Sequence, residues 1–306
     1  IMFKKILGSI LCVVMFSACT MDPPEWAAQA KQVDLNHLKI GLSISTLNNP
    51  FFVAVRDGVA TEAKQESMEL KVADAQNDSA KQGNDIDDLI QQRVDVLLIN
   101  PVDSAAVSSA ILAANQAGIP VITLDRSADK GQVVSLIASD NVAGGKMAAE
   151  FILAKLGKNA KVAELEGIPG ASATRERGQG FHLVADKNLN VVAKQAADFD
   201  RAKGLNVAEN MLQAHSDIQA IFAQNDEMAL GAVEAVKSTG KNILIVGFDG
   251  SSDGIKAVKA GQMTATVAQQ PELIGKMSVQ TAKQIVLKQA PASKIAVPLK
   301  LIVQAD

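Results

Sequence analysis

Lys39-Ile40-Gly41-Leu42-Ser43-Ile44-Ser45-Thr46-Leu47-Asn48-Asn49-Pro50-Phe51-Phe52 is the stretch on which the fold turns. Ile40, Leu42 and Ile44 alternate with small or polar residues, the period of a strand with one apolar face. The alternation ends at Ser45. Asn49 then offers a side-chain oxygen to the first turn of a helix. Pro50 takes the first helical position, where a missing N–H costs nothing. A strand, a short polar turn and a helix together make the opening half of a βαβ unit.

The same unit recurs downstream. Apolar strands are expected near 70–75, 95–99, 119–124, 133–138, 161–166, 190–196, 218–223, 243–248 and 263–268, with a last one near 295–303. Helices fill most of the intervals. Asp103 caps one of them, and Gly118 with Pro120 just beyond ends it. Short apolar strands alternating with helices predict an α/β fold with parallel sheets. Roughly ten strands would be many for one sheet, so two doubly wound sheets are expected. A length of 306 residues agrees with two domains at about 150 residues each.

Working outward to the amino terminus, Lys4 and Lys5 precede an apolar run from Ile6 to Phe16. That run is too short for a membrane span of about 20 residues and has the layout of an export signal. Ser17-Ala18-Cys19 follows and resembles the lipobox of bacterial lipoproteins, which implies lipid attachment at Cys19. Residues 1–19 are thus expected to be a signal peptide and 20–37 a tether, with cleavage further on, after Ala28-Gln29-Ala30, as the alternative to lipid attachment at Cys19. Cys12 lies inside the signal, so the exported chain can hold no internal disulfide. The net charge of −3 and pI of about 5.7 argue against a nucleic-acid binder, which carries a basic footprint.

Catalytic and metal chemistries find little support. Gly250-Ser251-Ser252-Asp253-Gly254 is a literal G-x-S-x-G between a strand and a helix, but His37, His182 and His215 all precede it. A nucleophile elbow needs a later His, so Ser251 and Ser252 read as helix caps. The three histidines are scattered with no ligand spacing, and each reads as a surface residue. Asn141 to Met147 contains a Gly-Lys but lacks the rest of a phosphate loop, and reads as a helix start. No enzyme activity, cofactor or metal is expected.

What remains is a set of polar strand ends: Ser45-Thr46-Leu47-Asn48-Asn49, Leu124-Asp125-Arg126, Gln224-Asn225-Asp226 and Phe248-Asp249-Gly250. Doubly wound sheets bind ligands outside the carboxyl ends of their strands, so these ends point to a shared polar cleft.

Those same segments, with Val121 to Arg126, Arg175-Glu176-Arg177-Gly178, Ala197 to Arg201, Phe222 to Glu227 and Ala268-Gln269, resemble the bacterial periplasmic sugar-binding proteins of the type I fold. The ribose binders among them match the full set. The similarity runs from about Lys39 to Val303, and departs from the family only by single-residue deletions near 186–190 and 240–243. The resemblance implies two doubly wound parallel-sheet lobes joined by a hinge that the chain crosses three times. The amino-terminal lobe would hold 38–139 and 270–298, the other 140–269 and 299–306. It further implies that Ser45, Asn49, Phe51, Phe52, Asp125, Arg126, Arg177, Phe199, Asn225, Asp249 and Gln269 contact one sugar.

The residue types suit that task. Asp125 and Asp249 accept from hydroxyls, Arg126 and Arg177 donate in a fixed fork, and Asn225 and Gln269 do both. Phe51, Phe52 and Phe199 can cover C–H faces of a ring. The family's partners would be D-ribose, the membrane permease of an ATP-driven (ABC) importer and, in some species, a chemoreceptor. The protein would be a monomer of the periplasm, with Cys19 as a lipid anchor. Individual motifs are shared with binders of other pentoses, allose and autoinducer-2, which leaves those ligands open.

Overall fold

A computed structural model describes residues 35–304. The expected signal at 1–19, Cys19 and the tether as far as residue 34 lie outside the described residues. Leu35–His37 makes a single 3₁₀ turn ahead of the first strand.

Twelve strands follow: β1 (Lys39–Ile44), β2 (Glu69–Asp74), β3 (Val96–Ile99), β4 (Val121–Leu124), β5 (Ser135–Ser139), β6 (Lys161–Glu166), β7 (Asn190–Ala196), β8 (Ala220–Ala223), β9 (Leu244–Asp249), β10 (Ala265–Ala268), β11 (Lys294–Val297) and β12 (Lys300–Val303). They form two six-stranded sheets, in the orders β11-β5-β4-β3-β1-β2 and β12-β10-β9-β8-β6-β7. Leaving out the last strand of each, both sheets follow the doubly wound order 2-1-3-4-5. The two lobes are therefore copies of one topology. Helices cover both faces of each sheet, so strands β3, β4 and β8 are buried along their whole length and apolar but for the hydroxyl of Thr123.

One expectation needs revision. The apolar stretch near 295–303 is two strands, not one. β11 runs parallel to β5 in the first sheet, whereas β12 runs antiparallel to β10 in the second. Pro298 stands between them and has no N–H for a ladder bond, so pairing stops there and resumes on the other lobe. This is the third crossing. The first follows Ser139, and the second follows Ala268, where Gln269 and Gln270 lead into the helix Pro271–Val286. Gln270 Nε2 donates to Pro298 O at 3.1 Å and ties the second crossing to the third.

The helix Pro50–Gln65 begins as the sequence predicts, with Asn49 Oδ1 accepting from Phe51 N at 2.9 Å. It crosses Pro271–Val286 at very short range, because Gly58 and Gly275 face the partner backbone. A Cβ on Gly58 would meet Glu272 Cα at 2.8 Å, and one on Gly275 would meet Val59 N at 2.6 Å.

Candidate functional site

The carboxyl ends of both sheets meet at the cleft. Each lobe pins its strand ends with one buried amide. In the first, Asn100 directly after β3 accepts from Ser45 N at 3.1 Å and donates to Leu124 O at 3.1 Å. In the second, Gln224 directly after β8 accepts from Gly167 N at 3.0 Å and donates to Glu164 Oε1 at 2.9 Å. Ser45 and Gly167 are the residues directly after β1 and β6, so the two amides occupy equivalent places. Each sits at the switch point of its sheet, where the strand order reverses.

Between the lobes lies a small, tight cavity walled by Asn49, Phe51, Phe52, Asp125, Arg126, Ala173, Arg177, Phe199, Asn225 and Asp249.

The wall is charged and buried. Asp125, Arg126 and Arg177 are each only 3% exposed. Arg177 Nε donates to Asn141 Oδ1 at 2.9 Å and Nη1 to Gln224 O at 2.7 Å, which holds Nη1 3.9 Å from Asp249 Oδ1. The Arg177 guanidinium lies 3.9 Å from the centre of the Phe248 ring. Arg126 sits between Phe52 and Phe199, at 5.0 and 5.3 Å from the ring centres, with Nη1 on Pro101 O at 3.0 Å. Burial lowers Arg126 to about 10, against the pull of Asp125. Burial raises the Asp125 carboxyl, opposed by Arg177 and Arg126. It raises Asp249 well above the usual carboxylate range, with Arg177 opposing.

Backbone strain is also found at the same place. Asp125, Phe199 and Asp249 have φ of 63°, 60° and 122°, a region that non-glycine residues rarely enter. Strain of this kind persists where the surroundings over-determine it, as at ligand clamps.

Among the described residues, six buried side-chain polar atoms have no partner within the protein. Four of them belong to residues that the sequence singled out: Ser45 Oγ, Asp125 Oδ1, Arg126 Nε and Gln269 Oε1. A buried polar atom without a partner costs about 1–3 kcal/mol, and more when charged. A ring carrying hydroxyls supplies both donors and acceptors for such a set.

The structure brings nine of the eleven predicted residues to the cavity wall. Ser45 is fully buried just behind it, and Gln269 reaches it through Asp249, donating from Nε2 to Oδ1 at 2.9 Å. Ala173 lines the wall but gave no sequence signal, because an alanine carries no chemistry to notice. Asn141 reads in the sequence as a helix start, which it is, yet it also holds Arg177.

The sequence profile of the periplasmic binding protein domain matches residues 40–290. The chain belongs to that family. Among periplasmic binding proteins, the ribose import binding protein RbsB of Bacillus subtilis (strain 168) is 57% identical over 303 residues, 98% of this chain and 99% of its own. The RbsB of Escherichia coli (strain K12) is 54% identical over 267 residues, 87% of this chain and 90% of its own. An ABC transporter periplasmic solute binding protein from Actinobacillus succinogenes, solved with bound D-allose, superposes with a TM-score of 0.81 at 32% identity, over 87% of this chain and 97% of its own. Families of this kind bind solutes and do not transform them.

Proposed function

We propose that this protein captures D-ribose between its two lobes and delivers it to an ATP-driven sugar importer. The observation that carries the reading is the cavity between the lobes, on whose wall Asp125 Oδ1 and Arg126 Nε are buried with no hydrogen-bond partner within the protein. The identity of more than half its residues with ribose import binding proteins supports ribose over other sugars. Asp125 and Asp249 accept from ring hydroxyls, Arg126, Arg177 and Asn225 donate, and Phe51, Phe52 and Phe199 flank the ring. Asn49 uses Oδ1 for its helix, which leaves its amide N–H groups for the ligand. Ser45 and Gln269 act from behind, as supports of the strand end and of Asp249.

Sugar makes contacts with both lobes at once, so it binds the closed form more tightly and shifts the population toward it. A pentose has about ten heavy atoms, with a ceiling near ~1.5 kcal/mol each, whereas micromolar capture needs only about 8 kcal/mol. The remaining parts of the reading concern residues 1–34: an export signal, a lipid on Cys19 and a tether that keeps a monomer near its permease. A separate part of the reading is docking of the same closed form on a chemoreceptor.

The reading is tested by thermal melting of refolded, sugar-free protein against a panel of sugars. At a hundred times its dissociation constant a ligand adds about 2.7 kcal/mol of stability. Ribose is expected to do so at micromolar concentration, with allose, arabinose and xylose inert in that range. A larger shift with allose than with ribose overturns the ribose assignment and keeps the fold.

A further inference from the structure

Behind the cavity wall of the second lobe runs a chain of side chains that the binding set does not include. His182 Nε2 bonds Glu164 Oε2 at 2.9 Å. Glu164 Oε1 accepts from Gln224 Nε2 at 2.9 Å, Gln224 Oε1 accepts from Gly167 N at 3.0 Å, and Gln224 O accepts from Arg177 Nη1 at 2.7 Å. The sequence suggests a surface histidine here. Instead, the side chain is 25% exposed and its partner carboxylate is fully buried. The second ring nitrogen bonds Asp186 at 2.7 Å, on the solvent side.

The surroundings leave little slack. Gly178 sits over the pair, and a Cβ there would come 3.3 Å from Gln224 Nε2. Gly167 lies flat on Phe199, so close that a Cβ would land inside the ring. Among the described residues, His182 and Gln224 are the side chains bonded to the Glu164 carboxylate, hence loss of one throws its whole demand on the other. Gln224 cannot turn its amide to meet that demand without giving up Gly167 N or shifting the carbonyl that aims Arg177. Buried networks that are half satisfied are worse than none.

We propose that His182 is a positioning residue for sugar binding, which through Glu164 and Gln224 fixes Arg177 and the Gly167 backbone under Phe199. The proposal rests on the ribose reading for its ligand. His182 never touches sugar, and it acts by supplying the N–H that Glu164 needs.

Calorimetric ribose titrations of wild type, H182A, H182Q and D186A, with a melting curve for each, form the test. H182A is expected to bind about tenfold more weakly. H182Q, whose amide can still donate to Glu164, should return to within about twofold of wild type. D186A, which breaks only the solvent-side bond, should match wild type. If H182A does not fold, H182N takes its place, since its amide is too short to reach. A purely structural role lowers the melting temperature of H182A with its affinity unmoved, and that result overturns the proposal. So does an H182Q as weak as H182A. Wild type that binds no ribose overturns the ligand reading instead, and the same variants are then compared on whichever sugar stabilises the protein.

Discussion

Gly170 of the second lobe lies against the carboxylate of Asp103 in the first, so that a Cβ on it would come 2.6 Å from Asp103 Cγ. The contact belongs to the closed form. Beside it Ser104 N donates to Gly170 O at 3.0 Å, and Ser127 N donates to Ser172 Oγ at 2.9 Å, both across the cleft. Asp103 cannot retreat freely, because Oδ1 accepts from Ala105 N and Ala106 N at 2.8 Å each.

The first prediction follows directly. Gly170→Ala weakens ribose binding by tenfold or more, because a cleft that cannot fully shut reduces the competent fraction and the apparent affinity with it. The melting temperature without sugar stays unchanged, since the open form has no clash. Adding Asp103→Ala recovers part of the affinity. Titration calorimetry with equal affinities for wild type and Gly170→Ala contradicts the closed geometry.

Removing a wall residue acts on contacts instead of closure. Asp249→Ala or Asn225→Ala is expected to weaken ribose by about 1.5–3 kcal/mol, as buried hydroxyls lose their partners. Unchanged affinity in both variants sinks the proposed pocket.

Arg126→Lys keeps the charge and loses the plane. A lysine cannot stack between Phe52 and Phe199 while donating to Pro101 O and to the ligand, so affinity falls by about 1–2 kcal/mol. Wild-type affinity in this variant excludes a forked donor at that site.

Stability of the sugar-free protein depends on pH through two groups with opposite chemistry. Burial pushes the Asp226 carboxyl up to about 6, although Thr266 Oγ1 and Ser251 N each donate to it at 2.7 Å. The folded state therefore holds a proton that the unfolded state has already released, and stability falls as pH rises from 3.8 to about 6, by on the order of 3 kcal/mol. Asp226→Asn should flatten that slope in urea titrations at pH 4, 5 and 6, and an unaltered slope rejects the assignment. His182 is raised to about 9, chiefly by its bond to Glu164, with burial opposing. Its contribution is complete below 6.5 and is lost as pH climbs through about 9, a loss that His182→Ala should abolish.

Much of the molecule was legible at the strand ends. The alternation at Ile40, Leu42 and Ile44, the Asn49-Pro50 cap and the polar tails at Asp125, Asn225 and Asp249 are local signals, and each sits where it was read. Ser251 caps its helix through Gly254 N at 3.0 Å, as the missing later histidine implied. The break at Pro298 and the role of His182 were not legible. A strand's sequence shows that it is apolar but not which sheet it joins, and a histidine's sequence neighbours do not include a carboxylate 18 residues away.

The sequence by itself determined the βαβ repeat, the two-lobed class and the chemistry of the wall, because periodicity, caps and side-chain functional groups are properties of short segments. Only the tertiary structure decided that the lobes share one strand order, that Asn100 and Gln224 take equivalent places, and that Gly170 meets Asp103 across the cleft. Those relationships join residues far apart in the chain, and they exist only once both sheets have formed and the cleft between them has closed.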